Sequence, residues 1–274
     1  MKLSLCSEVI RDLSFAQQCD FAAKLGYDAL EIAPFTLAED PRDLGPGDVV
    51  ALRRSLSDAG IVCSSLHWLL VSPEGLSVTS EDAEVHDRTV SVMRRLVELA
   101  GELGADVLVH GSPKQRHLPD GREARARAQA VGCFAAAAEA AASAGVVYCV
   151  EPLASTETNF VNTVEDAAAL LDEIGSPALR TMVDCAATVS NGLDPAKVLD
   201  RHLDSGLIAH VQVNDGNRRG PGEGDDPMGP VLATLKRHGW QDWVAVEPFV
   251  YIPDGPACAA RSIGYLKGVL ENLR

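Results

Sequence analysis

The chain has 274 residues, enough for one large α/β domain or two small ones. Hydrophobic residues make up 46% and charged residues 23%, which supplies a sizeable core and excludes a disordered chain. A formal charge of -15 sets the average surface against a phosphate backbone, so nucleic acid is not an expected partner.

In chain order, short β-branched runs alternate with longer Ala/Leu/Arg/Glu stretches of helical spacing. Strands are expected over Lys2–Cys6, Ala29–Ala33, Ile61–His67, Val107–His110, Val146–Glu151, Arg180–Asp184, Ile208–Val213 and Val244–Glu247. Helices are expected between and after them, over Ser14–Leu25, Gly47–Ala59, Ser80–Leu103, Arg122–Ala144, Thr163–Ile174, Pro195–His202, Met228–His238 and Pro256–Leu273. Ser14, Ser80, Thr163 and Asp194 supply helix-start caps, and a glycine follows most helix ends. Eight such units without a linker point to an α/β fold made of a single (β/α)8 TIM barrel spanning residues 1–274. The competing open Rossmann-like sheet lacks a GxGxxG after the first strand.

Seven scattered cysteines with no CxxC pair suit reduced thiols, and no run of 18 apolar residues is present. The N-terminus has no signal-peptide pattern, so a cytoplasmic protein without a membrane partner is expected.

In a barrel of this kind the chemistry sits at the C-terminal strand ends. The last four strands each carry a polar residue there: Glu151, Asp184, Gln212 and Glu247, separated by 33, 28 and 35 residues, about one βα unit each. Strand alternation puts Cys149 with Glu151, Met182 with Asp184, and Ala245 with Glu247 on shared faces. If those faces look inward, three carboxylates and an amide form one ring. Burial and mutual repulsion would keep such carboxylates from ionising together without a compensating charge, which a divalent cation supplies. The all-oxygen donor set favours Mn²⁺ or Mg²⁺, with Co²⁺ as a further option. Each Glu-Pro taken alone is equally an ordinary strand end; the register of four is what points to a metal.

The segments "EPLASTETNFVNTVEDA", "MVDCA", "HVQVNDGNRRGPGEGD" and "WVAVEPFVY" resemble the xylose isomerase-like TIM barrel superfamily, whose members include ketose 3-epimerases, hydroxypyruvate isomerase and endonuclease IV. The resemblance implies Glu151, Asp184, Gln212 and Glu247 as metal ligands, Glu151 and Glu247 as the acid/base pair, and Glu157 and Arg218 as substrate contacts. In placing Gln212 at a position held by His in the epimerases, the sequence resembles hydroxypyruvate isomerase. Two departures remove polar contacts to a sugar: Ala187 stands where the epimerases carry His, and Ala154 where they tend to carry Asn.

The chemistry thus expected is metal-dependent isomerisation or epimerisation of a small sugar or keto-polyol through an enediolate, with two carboxylates serving opposite faces. The alternatives are a lyase or dehydratase acting on a keto-sugar or keto-glycoside with the same ring, or an inactive barrel subunit. His67 and Trp68 in "SSLHWLL" are further candidate substrate contacts, as is His110 before the basic loop "GSPKQR". Glu31 would orient His67 or a ligand. The partner is a small-molecule carbohydrate, and a homo-oligomer is compatible with this reading.

Overall fold

The computed structural model describes residues 1–273. Eight parallel strands close into a barrel in chain order. They are β1 (Lys2–Cys6), β2 (Ala29–Ile32), β3 (Val62–Leu66), β4 (Val107–His110), β5 (Val147–Val150), β6 (Leu179–Asp184), β7 (Ile208–Val213) and β8 (Trp243–Val246). β1 closes the ring on β8, with Leu3 opposite Val244 and Leu5 opposite Val246.

The outer faces of the strands are aliphatic. Leu5, Leu30, Ile32, Leu108, Val150, Val211 and Val246 join one buried cluster with the inward stripes of the helices. Two of those helices, α3 (Ala83–Leu103) and α4 (Glu123–Ala144), bring Met93, Leu96, Phe134 and Ala137 to that layer, each fully buried. The barrel interior differs. Val107, Val109, Cys149 and Met182 form a small separate cluster, and above it the inward positions turn polar.

The remaining helices are α1 (Phe15–Leu25), α2 (Pro46–Ala59), α5 (Val164–Ile174), α6 (Cys185–Ser190), α7 (Pro195–His202), α8 (Met228–Arg237) and α9 (Gly255–Asn272). The short α6 was not expected from the sequence. It starts directly from β6, because the Asp184 carboxylate caps it by accepting the Ala187 amide at 2.7 Å. A second difference is the start of α3: Asp82, not Ser80, caps it, accepting the amides of Glu84 and Val85. α4 is halted by Gly145, whose φ of 72° is a left-handed value that a side chain would strain. No helix is long and apolar enough to cross a membrane among the described residues.

Candidate active site

β5, β6 and β8 each deliver one carboxylate to the C-terminal mouth. An oxygen from each of Glu151, Asp184 and Glu247 lies within 4.8 Å of the others, and all three side chains are buried. Asp184 pairs in register with Gln212 on β7, which puts the fourth group at the same height. The four strand-end residues therefore meet in one place.

Each has a defined orientation. Gln212 donates Nε2–H to Glu31 Oε1 at 2.5 Å. Glu31 also accepts from Ser65 at 2.6 Å, and its Oε2 lies 2.5 Å from His210 Nε2. Burial works against a charge on Glu31, but the neighbouring His210 and His67 outweigh it and hold the carboxyl down at about 2. An ionised Glu31 can only accept, so the Gln212 amide must turn its nitrogen to Glu31 and its oxygen away. That oxygen, Oε1, is buried and has no partner among the described residues.

Glu247 Oε1 accepts from Trp68 Nε1 at 2.9 Å and faces His67 Nδ1 at 3.0 Å, leaving the buried Oε2 without a partner among the described residues. Asp184 accepts Asn214 Nδ2 at 2.7 Å, and the same amide group reaches the Glu247 carbonyl at 2.9 Å. Glu151 is fixed through its backbone, donating to the His110 carbonyl and accepting from Arg116 Nη2 at 2.5 Å. Its carboxylate lies where a side chain on Gly111 would stand: a Cβ there would be 1.7 Å from Glu151 Oε2.

The electrostatics are under-compensated. Glu8, Glu31, Glu151, Asp184 and Glu247 are all buried around the mouth. Burial, then Glu247 and Asp184, push the Glu151 carboxyl well above the usual range. Burial raises Glu247 to about 8 and Asp184 to about 6, against the opposing hydrogen bonds from His67 and from Ala187 and Asn214. A divalent cation, if bound there, would relieve this repulsion. The free oxygens of Gln212 and Glu247, with the Glu151 and Asp184 carboxylates, make an oxygen-only donor set that fits Mg²⁺, Mn²⁺ or Co²⁺.

Beside the ring is a cavity of about 160 Å³, whose lining includes Ala154, Glu157, Ala187, Arg218 and Phe249. Arg218 Nη1 lies 3.2 Å from Glu157 Oε1, and its guanidinium stacks 4.5 Å above the Phe249 ring. Arg218 has a φ of 67° and Trp68 a φ of 53°. Left-handed backbone at bulky residues costs about 1–3 kcal/mol and persists where surrounding contacts enforce it. Here the Arg218 carbonyl accepts the amides of Phe249 and Val250, tying the loop after β7 to that after β8.

Several expectations are corrected. His110 does not face the mouth: Val107 and Val109 take the inward positions, so His110 points outward, bonding Tyr148 at 2.9 Å and packing edge-on to Phe134. It cannot contact a substrate in the barrel. Arg116, in the basic loop after β4, is fully buried behind Glu151, where its guanidinium donates to the His110 and Glu151 carbonyls. His67 and Trp68 lie just past β3 and spend their polar atoms on Glu247 and, through His67 Nε2, on Glu8 rather than on the cavity. Trp68 still offers its ring, tilted between Phe35 and Phe249 at centroid distances of 6.1 and 6.0 Å.

Sequence reasoning missed Glu8 and Asn214. Glu8 sits two residues beyond β1, and Asn214 two beyond Gln212 on the same inward face, so the strand-end rule applied to every strand would have found both.

Among proteins of known fold and name, a family model described as a xylose isomerase-like TIM barrel matches residues 19–269. The D-psicose 3-epimerase of Agrobacterium fabrum is 24% identical over 243 residues, covering 86% of this chain and 80% of that protein. A Streptomyces coelicolor protein provisionally named hydroxypyruvate isomerase is 26% identical over 275 residues, covering 95% and 93%. A crystal structure of a D-psicose 3-epimerase in the presence of D-fructose superposes with a TM-score of 0.83 at 19% identity, covering 98% of this chain and 99% of that one, which speaks for the fold. The chain belongs to the xylose isomerase-like TIM barrel family, and within it resembles proteins named as sugar epimerases and isomerases.

Proposed function

We propose that the protein is a divalent-metal-dependent epimerase or isomerase of a small ketose or keto-polyol. Glu151, Asp184, Gln212 and Glu247 would hold the cation. When bound, Mn²⁺ or Mg²⁺ supplies Lewis-acid stabilisation of negative charge that develops on the substrate's oxygens.

The chain's own residues do the rest. Glu151 and Glu247 approach the mouth from β5 and β8, so a substrate carbon between them presents one face to each carboxylate. One carboxylate removes the proton α to the carbonyl and the other, in its acid form, returns a proton to the opposite face. Arg218 and Glu157 offer a donor and an acceptor for substrate hydroxyls at the open end of the cavity. The buried methyl groups of Ala154 and Ala187 line the same cavity, favouring a substrate with a less polar edge there.

The observation that carries this reading is the buried Glu247 oxygen that has no partner among the described residues and lies beside the Glu151 and Asp184 carboxylates, together with the unpartnered Gln212 oxygen on the residue in register with Asp184. The test is epimer formation from a panel of ketopentoses and ketohexoses with Mn²⁺ and with EDTA. Metal-dependent conversion of at least one ketose is expected. Metal-loaded protein that converts none of them, while still binding Mn²⁺, counts against it.

A further inference from the structure

We infer that Glu8 and His67 are positioning residues for Glu247, locking one oxygen of that carboxylate so that only Oε2 is presented to the cation and substrate. The inference rests on the proposed metal-dependent function but concerns residues outside the ligand set.

Three buried side chains form a line across the mouth. Glu8 Oε2 lies 2.9 Å from His67 Nε2, and His67 Nδ1 lies 3.0 Å from Glu247 Oε1. His67 is fully enclosed, Glu8 is 7% exposed and Glu247 2%. Trp68 Nε1 donates to the same Glu247 oxygen at 2.9 Å. Two donors from adjacent residues converge on one oxygen, and the backbone adopts its left-handed turn at Trp68 to bring them there. The line also bridges elements far apart in the ring. Glu8 follows β1, His67 follows β3 and Glu247 follows β8, so the latch ties three strand ends that sequence spacing alone does not relate.

Glu151 contrasts with this. Its hydrogen bonds run through the backbone, and among the described residues its carboxylate takes no donor. The two carboxylates are thus inequivalent: Glu247 is latched through one oxygen, whereas the Glu151 carboxylate is held by packing over Gly111. A carboxylate that must serve as both ligand and proton carrier gains from having its orientation fixed before substrate arrives.

The test is Mn²⁺ affinity, read from the EPR signal of free Mn²⁺, for wild type and for Glu8→Ala, His67→Leu, His67→Gln and Trp68→Phe. Loss of the latch is expected to weaken Mn²⁺ binding roughly 10- to 100-fold in His67→Leu, with kcat falling more than KM rises. His67→Gln, which keeps an amide donor, is expected to recover part of both. A purely structural role would lower the melting temperature and leave Mn²⁺ affinity unchanged. If His67→Leu does not fold, Glu8→Ala and Trp68→Phe carry the test. Folded variants that bind Mn²⁺ as wild type does overturn the inference. A wild type that binds Mn²⁺ but converts no ketose overturns the proposed function and leaves the latch to be judged on affinity alone; a wild type that binds no Mn²⁺ overturns both.

Discussion

At the scale of single residues, the site is governed by where each lone pair points. Glu31 shows this: held ionised in a fully buried position, it dictates the direction of the Gln212 amide without approaching the cavity. Glu31→Gln would let the amide turn either way, and about a 10- to 100-fold loss of metal affinity is expected, measured by Mn²⁺ titration. Gly111 is the second such case. Gly111→Ala places a methyl on the Glu151 carboxylate, and a displacement near 1 Å costs on the order of 100-fold in rate. The expected result is a folded protein with kcat reduced by about that factor, checked by kinetics beside circular dichroism. The strand-end glutamates were legible in the sequence because position two apart on a strand is a matter of counting. The Glu8–His67 contact was not, since it depends on side-chain reach across 59 residues of chain.

At the scale of elements, strand alternation explains one success and one failure. It puts Cys149 and Glu151 on one face, and both do point inward. The same rule, applied to β4, would have sent His110 outward once Val107 and Val109 were taken as interior. Helix starts were readable from caps, but α6 has only six residues and no apolar period to reveal it. Asp82→Ala removes the acceptor for two amides of α3 and should cost ~1 kcal/mol in urea unfolding. At the contact of α7 with α8, Asp200 and Asp204 raise His238 above the ordinary histidine value. The folded state therefore holds that proton more tightly. Its contribution is complete below about pH 6.5 and is lost as pH rises through the raised value. Melting temperature against pH for His238→Gln should lack that decline.

At the scale of the whole molecule, the closed barrel brings four strand ends from residues 151 to 247 into one acidic mouth on a chain of formal charge -15. The fold was legible because eight repeated units leave few ways to bury their faces, whereas the position of the polar interior depends on register and bulges, such as the shift between Leu30 and Glu31. A cation that binds only the folded state stabilises it by about 2.7 kcal/mol at a hundred times its dissociation constant. Mn²⁺ should raise the melting temperature, and EDTA should reverse the shift.

The most direct measurement is wash-in of solvent deuterium at the carbon α to the ketose carbonyl, in D₂O with Mn²⁺, for wild type, Glu151→Gln and Glu247→Gln and from each of the two epimers. Two carboxylates on opposite faces predict that wild type exchanges both epimers, while each variant loses exchange from one epimer by about 100-fold or more and retains it from the other. Equal exchange from both epimers in either variant would contradict the two-carboxylate account.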